Sequence, residues 1–339
     1  MRLALVGWSA DSGLGRELSD AARNLPVTAV FVLRNFRKPT REDLLGSVPR
    51  QLAQSEPPTL SEMETFITRW RPDRILTWEN PGSWEFPDLW ERRGISWTHV
   101  VHWDWFDPSK LEIWKTADLI APNRVCQEGL KKRYGLSSRL LPVPVDTERL
   151  PFRRRERANR FVSLYGYGGP DERRSIREIY SAWRILAQEA PPLTITAQCP
   201  IPRWEADNPP SSVEVRVGVL PEPADIWKDA DIAVQPSRYE GVGLSLLEAQ
   251  ACGVPVLTVD APPMNEIAPD LVVPSAYTAT SRPSRNDIQD WVVSPEALAC
   301  RVRELKGKDI SALSERVAKR VRNLYSWHAL KETWLEALA

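Results

Sequence analysis

ADIAVQPSRYEGVGLSLLEAQACGVPVL, residues 230–257, decides how the rest of the chain is read. Asp231 to Pro236 is a short apolar run rich in β-branched residues that stops at a proline, the pattern of a buried parallel strand opening into a loop. A helix follows, with Ser245 as N-cap and Glu248 three places on in capping-box spacing. Leu246, Leu247 and Ala251 give that helix an inward face, and Gly253 and Pro255 stop it. Pro255 to Val259 reads as the next strand. Between strand and helix lie Glu240, Gly241, Val242 and Gly243, where two glycines let backbone approach a ligand and the amides at the helix start offer an anion site. Glu240 in the loop and Glu248 one turn into the helix face the crevice at the carboxyl edge of the sheet, where open α/β folds bind ligands. Amides for phosphate beside carboxylates that accept from hydroxyls suit a sugar nucleotide.

Working outward, the same alternation of strand and helix runs in both directions. Toward the C-terminus, Asn265 and Glu266 follow the next strand, and YSWHALKETWLEAL is a terminal amphipathic helix. Toward the N-terminus, Ser212 to Leu220, Pro192 to Gln198 and RFVSLYG from Arg160 are strands, and IREIYSAWRILAQ is an amphipathic helix between them. Parallel strands with right-handed crossovers follow from that order. PFRRRERANR, residues 151–160, is charged and poor in apolar residues, as at a domain boundary. Before it a second series appears: strands at Arg2 to Trp8, Val27 to Arg34, Arg74 to Trp78 and Ile95 to Trp103, with a helix over SEMETFITRWRPD. Gly13 and Gly15 form a glycine-rich turn after the first strand, which serves a tight connection as well as it serves a ligand. The fourth strand delivers His102, Trp103, Asp104 and Trp105 to the carboxyl edge, beside Trp78 and Glu79 from the third. A histidine there serves packing as readily as chemistry. NFRKPTR, residues 35–41, is a basic loop that reads as solvated.

At 339 residues the chain holds two domains with sizeable cores. Lysine plus arginine and aspartate plus glutamate balance at 45 each, so no global charge argues for a polyanionic partner. Thirty prolines mark sharp loop ends rather than disorder, because no low-complexity tract accompanies them. Four dispersed cysteines and three histidines imply a reducing compartment and no metal site. The first residues read as a strand rather than a signal sequence and no run approaches a membrane span, so a cytoplasmic protein with at most peripheral membrane contact is expected. Nine of the 15 tryptophans precede residue 115. Trp70, Trp90 and Trp97 fall inside helix or strand patterns and read as core. Trp8, Trp78, Trp103 and Trp105 sit at strand ends and read as lining a cleft, where aromatic faces stack on planar groups.

The block PSRYEGVGLSLLEAQACGVPV, with its Glu240 and Glu248, resembles the signature of the retaining family-4 glycosyltransferases of the GT-B fold. The resemblance implies two Rossmann-like doubly wound α/β domains facing each other across a cleft. It divides the chain into 1–148 for the acceptor, 149–322 for the nucleotide sugar and 323–339 as a helix crossing back. Glu248 would hold ribose hydroxyls, and Glu240 with the backbone of Val242 to Leu244 the hydroxyls of the transferred sugar. Val219 and Leu220 lie where the family's nucleobase packs, Gly13 and Gly15 where its glycine-rich turn faces the donor, and His102 where a strand-end histidine flanks the transferred sugar. Arg174 takes the place of a family lysine. Tyr167 takes the place of a family arginine and cannot carry its charge. Either Arg173 or Arg177 then replaces that charge, or Arg174 and the amides of Gly241 to Gly243 carry the diphosphate. The implied activity is transfer of a hexose from a nucleotide diphosphate sugar, uridine favoured, to a hydroxyl, with retention and without a cofactor. Glu240, His102 and Arg174 form its catalytic set, and Trp78, Glu79, Trp103, Asp104 and Trp105 meet the acceptor. A glycan, a lipid-linked sugar, a metabolite or a modified base all satisfy the acceptor, nucleic acid being disfavoured by the zero net charge. Two other readings stand: a nucleotide-sugar-binding protein that turns over weakly or not at all, and a GT-B sugar-nucleotide epimerase.

Overall fold

The computed structural model describes residues 1–34, 39–167, 172–218, 222–278 and 288–339. They divide into two compact units. One contains Met1 to Pro144 together with Trp327 to Ala339, and the other runs from Val145 to Ser326.

The first unit is built on seven parallel strands: β1 (Leu3–Trp8), β2 (Val27–Leu33), β3 (Arg50–Leu52), β4 (Arg74–Trp78), β5 (Ser96–Val100), β6 (Asp118–Ala121) and β7 (Arg139–Leu140). Their order is β3-β2-β1-β4-β5-β6-β7, so the winding reverses between β1 and β4. Leu3, Ala4, Leu5 and Val6 are wholly buried, as a strand covered on both faces requires. Thr59 and Glu62 close a capping box at the start of the helix Leu60–Trp70. The tryptophan excess goes mainly into the core: Trp114 lies 5.9 Å from Trp97, 5.5 Å from Phe106 and 5.1 Å from Trp84, ring centre to ring centre. Trp90 and Trp97 are buried as read from the sequence, and Trp70 packs half-buried against Phe66. The helix Trp327–Leu338 belongs to this unit, Trp334 Nε1 donating to the Pro142 carbonyl at 3.1 Å.

The second unit has six parallel strands, β8 (Phe161–Gly166), β9 (Leu193–Ala197), β10 (Val213–Val217), β11 (Ile232–Val234), β12 (Val256–Val259) and β13 (Leu271–Val273). The order β10-β9-β8-β11-β12-β13 reverses between β8 and β11. The helix Ile176–Leu186 buries Ile176, Ile179, Tyr180, Trp183 and Leu186 at three- and four-residue spacing against this sheet. A hairpin unread in the sequence, Ser275–Thr278 against Asp290–Val293, is antiparallel and stands outside the main sheet. Two doubly wound α/β units are the architecture the sequence predicts. Among the described residues, no helix is long and apolar enough to cross a membrane.

Candidate active site

In the second unit the site grows from the loops that leave β8 and β11, the two strands at the reversal. After β11 the chain passes Pro236 and reaches Gly243, whose φ of +76° is left-handed. A Cβ there would also meet Ile267 Cδ1 at 2.7 Å, the movable end of a side chain, so it is chiefly the left-handed backbone that selects glycine. Gly243, not Ser245, is the N-cap of the helix Leu244–Ala251, and its carbonyl accepts from the amides of Leu246 at 3.0 Å and Leu247 at 3.3 Å. The left-handed glycine starts the helix two residues earlier than read, which leaves Ser245 inside the first turn and Glu248 without a capping role. Glu248 is buried in the body of that helix. The amides of Leu244 and Ser245 precede the first helical hydrogen bond, where an anion binds best.

The loop after β8 meets this one side by side. Arg238 N donates to the Arg173 carbonyl at 2.9 Å, and Ser175 Oγ to the Pro236 carbonyl at 2.8 Å. These bonds bring both arginines onto one carboxylate. Arg174 Nη1 donates to Glu240 Oε1 at 2.6 Å and to Ser237 Oγ at 3.3 Å, and Arg173 Nη2 donates to Glu240 Oε2. The side chains of Glu240, Arg174 and Arg173 are 3, 13 and 17 % exposed. Burial pushes the Glu240 carboxyl up, but the two guanidinium groups outweigh it and hold it below the usual carboxylate range. Burial, with Arg173 beside it, draws Arg174 below the ordinary arginine value, and Glu240 opposes that fall. Two cations on one anion leave the trio at +1, and Arg174 Nε is buried with no acceptor among the described residues. Residual positive charge and an orphaned donor next to free helix amides form a receptor for phosphate oxygens.

Of the two candidates for the charge missing at Tyr167, the geometry separates one from the other. Arg173 reaches Glu240, stacked 5.5 Å over the Tyr239 ring. Arg177 donates instead to the Trp204 carbonyl at 2.6 Å and pairs with Glu172. Behind the trio Arg238 binds Glu172 at 2.7 Å and Glu178 at 2.8 Å, fixing the loop backbone. Sequence reasoning passed over Ser237 and Arg238 because loop polar residues read as solvated.

In the first unit the turn after β1 is tight by necessity: a Cβ on Gly15 would sit 1.9 Å from the Ala10 carbonyl oxygen. Ser12 caps the helix Gly13–Asn24, its Oγ accepting from Gly15 N at 3.3 Å, while Gly13 is exposed. Arg41, the last residue of the basic loop, pairs with Asp11 and Asp43 at 2.7 Å each rather than facing solvent alone; residues 35–38 lie outside the described residues. His102 is buried just beyond β5 and its Nε2 lies 3.0 Å from Glu17 Oε2. Burial alone would lower its pKa, yet Glu17, Glu79 and Asp104 push it up to about 9. Glu17 is the partner missed in the sequence, although a carboxylate on the buried side of an amphipathic helix with Leu18, Ala21 and Ala22 was there to be seen.

The tryptophans at the strand ends divide differently from the reading. Trp103 is 6 % exposed and stacks on Phe106 at 5.8 Å, with Gly129 so close that a Cβ would come within 2.5 Å of the ring. It is a core residue, as is buried Trp78, and neither presents a face to an acceptor. Trp105 is 40 % exposed, and Trp8, Glu79 and Asp104 are half-buried. Val219 and Leu220 lie outside the described residues.

With this geometry in hand, residues 216–288 match the sequence model of the glycosyl transferases group 1 family. No curated protein matches the chain by sequence. Solved structures match over almost its whole length. Sucrose-phosphate synthase from Thermosynechococcus elongatus is similar with a TM-score of 0.68 and 18% identity, over 99% of this chain and 98% of its own. A glycosyltransferase from Rickettsia africae is similar with a TM-score of 0.71 and 11% identity, over 99% and 97%. HepE from Anabaena in complex with UDP-glucose is similar with a TM-score of 0.70 and 11% identity, over 100% and 99%. At such identities the likeness shows the fold, and the fold is GT-B.

Proposed function

We propose that the protein is a glycosyltransferase that moves a hexose from a nucleotide diphosphate sugar, a UDP-sugar by preference, to an acceptor hydroxyl, with retention of configuration and without a metal. The observation that carries this reading is the convergence of Arg173, Arg174 and Glu240 beside the helix start at Gly243, at the strand reversal. When the bond to the sugar breaks, negative charge grows on the leaving diphosphate. Two guanidinium groups and the free amides of Leu244 and Ser245 supply fixed donors for that charge in a site shielded from water. Glu240 and Glu248 take the hydroxyls of the sugar and the ribose, and Arg173 fills the role that Tyr167 cannot. In the first unit His102 is the candidate group at the carboxyl edge of that unit's own sheet, and Glu79, Asp104 and Trp105 are the groups offered to the acceptor. That HepE was solved with UDP-glucose supports trying this donor first.

The test is release of UDP from UDP-glucose, read against a thermal-shift panel of nucleotide sugars, since a ligand that binds only the folded form raises apparent stability. Glu240→Ala and Glu248→Ala should each lower turnover by roughly a hundredfold or more while the protein stays folded. Unchanged turnover in both variants would refute the assignment. A stabilising nucleotide sugar that is never consumed, whatever acceptor is offered, would instead favour a binding protein.

A further inference from the structure

We propose that Glu17 is a positioning residue for this reaction: it grips His102 by Nε2 and so fixes Nδ1 as the ring nitrogen left to act at the carboxyl edge of the first unit's sheet. The inference rests on the reading just given and adds a residue to it. Glu17 comes from the helix Gly13–Asn24 and His102 from the end of β5, so the pair ties the glycine-rich turn to the carboxyl edge of the first unit's sheet. Both side chains are almost wholly buried. With Nε2 held, Nδ1–H is the donor the ring has left.

A purely structural role accounts poorly for this choice of residues. Glu17 lies on the inward side of its helix among Leu18, Ala21 and Ala22, where an aliphatic side chain would pack without the desolvation cost of a carboxylate. The charges around the ring are arranged with one effect. Glu17 from the helix, Glu79 after β4 and Asp104 after β5 all favour the imidazolium, while His99, on β5 itself, is held neutral by burial and hydrogen-bonded to Thr77 Oγ1 at 2.6 Å. Three carboxylates drawn from three elements therefore act on one ring, and Glu17 is hydrogen-bonded to it. The outcome is a cation that keeps its proton through the neutral range.

The chain has three histidines, so their ring signals separate in a two-dimensional nitrogen–proton NMR spectrum. In the native protein the His102 ring should titrate near pH 9. In Glu17→Gln its midpoint should fall by more than a unit, and kcat for UDP release from UDP-glucose at pH 8 should fall roughly ten- to a hundredfold, the worth of one charged hydrogen bond. KM should change little, and part of the rate should return as the pH is lowered and the ring is protonated again. Glu17→Asp keeps the charge with a shorter reach, so it should place both the midpoint and kcat between the other two; it also serves if Glu17→Gln does not fold. A His102 midpoint that does not move, or one that moves with kcat unchanged at every pH, overturns the proposal. If native protein neither binds nor consumes any nucleotide sugar, the transferase reading falls, and the NMR titration still decides whether Glu17 controls His102.

Discussion

Glu240 is contested. Each of its oxygens accepts from one Nη of an arginine, and the same two guanidinium groups are those assigned to the diphosphate. Glu240 occupies one donor of each guanidinium, so a phosphate that reaches these arginines competes with the carboxylate for them. Glu240→Gln, which removes the competing charge but keeps the shape, should bind UDP severalfold more tightly in calorimetry while losing transfer. Equal or weaker binding would mean that Glu240 instead holds the arginines ready. The same carboxylate sets an acid limit. Its folded pKa is depressed, so its contribution to stability is present above the unfolded value, about 4.3, and is lost as the pH falls through the lower folded one. Thermal unfolding of Glu240→Gln should therefore depend less on pH below about 4.3 than that of the native protein. At this scale the sequence disclosed residue types better than partners. Glu240, Arg174 and His102 were legible because a motif or a strand end marked them. Glu17 and Arg238 were not, since a charge on a helix or in a loop ordinarily meets water, and only folding shows that it is buried.

Elements were legible wherever the pattern was strong. The β-branched run before Pro236 folds as β11, and the glycines after it make the loop. The helix start was misread because Ser245 has the right chemistry for a cap, whereas Gly243 has the right backbone. Gly243→Ala tests which matters: a left-handed alanine and a contact of 2.7 Å with Ile267 should cost about 1–3 kcal/mol. Ser245→Ala, at a position that caps nothing, should cost less than about 0.5 kcal/mol. Chemical denaturation of the two variants gives both numbers. The hairpin Ser275–Thr278 with Asp290–Val293 was illegible for a different reason, because nothing local in those two segments says that they pair. Trp103 misled by position, since a strand end is also where Phe106 and Gly129 converge on its ring.

For the whole molecule, two α/β units could be anticipated because two series of strands repeat one pattern, whereas GT-B was anticipated only from the resemblance carried by the block around Glu240 and Glu248. What composition could not convey is that the tryptophan-rich half spends most of its indoles on its own core. The first unit holds 11 of the 15 tryptophans, nine before residue 115 plus Trp327 and Trp334, so intrinsic fluorescence reports chiefly on it. Deleting residues 327–339 removes buried Trp327 and Trp334 from that unit. The fluorescence-detected transition should move to markedly lower denaturant, while UDP still shifts the second unit's transition followed by circular dichroism. A truncated protein whose fluorescence transition is unchanged would show that this helix adds nothing to the first unit. The same division of the chain bears on biosynthesis. Everything from Val145 to Ser326 is synthesised before the last helix of the first unit exists. On the ribosome the later-encoded half can therefore be complete before the earlier one receives its closing helix from the exit tunnel.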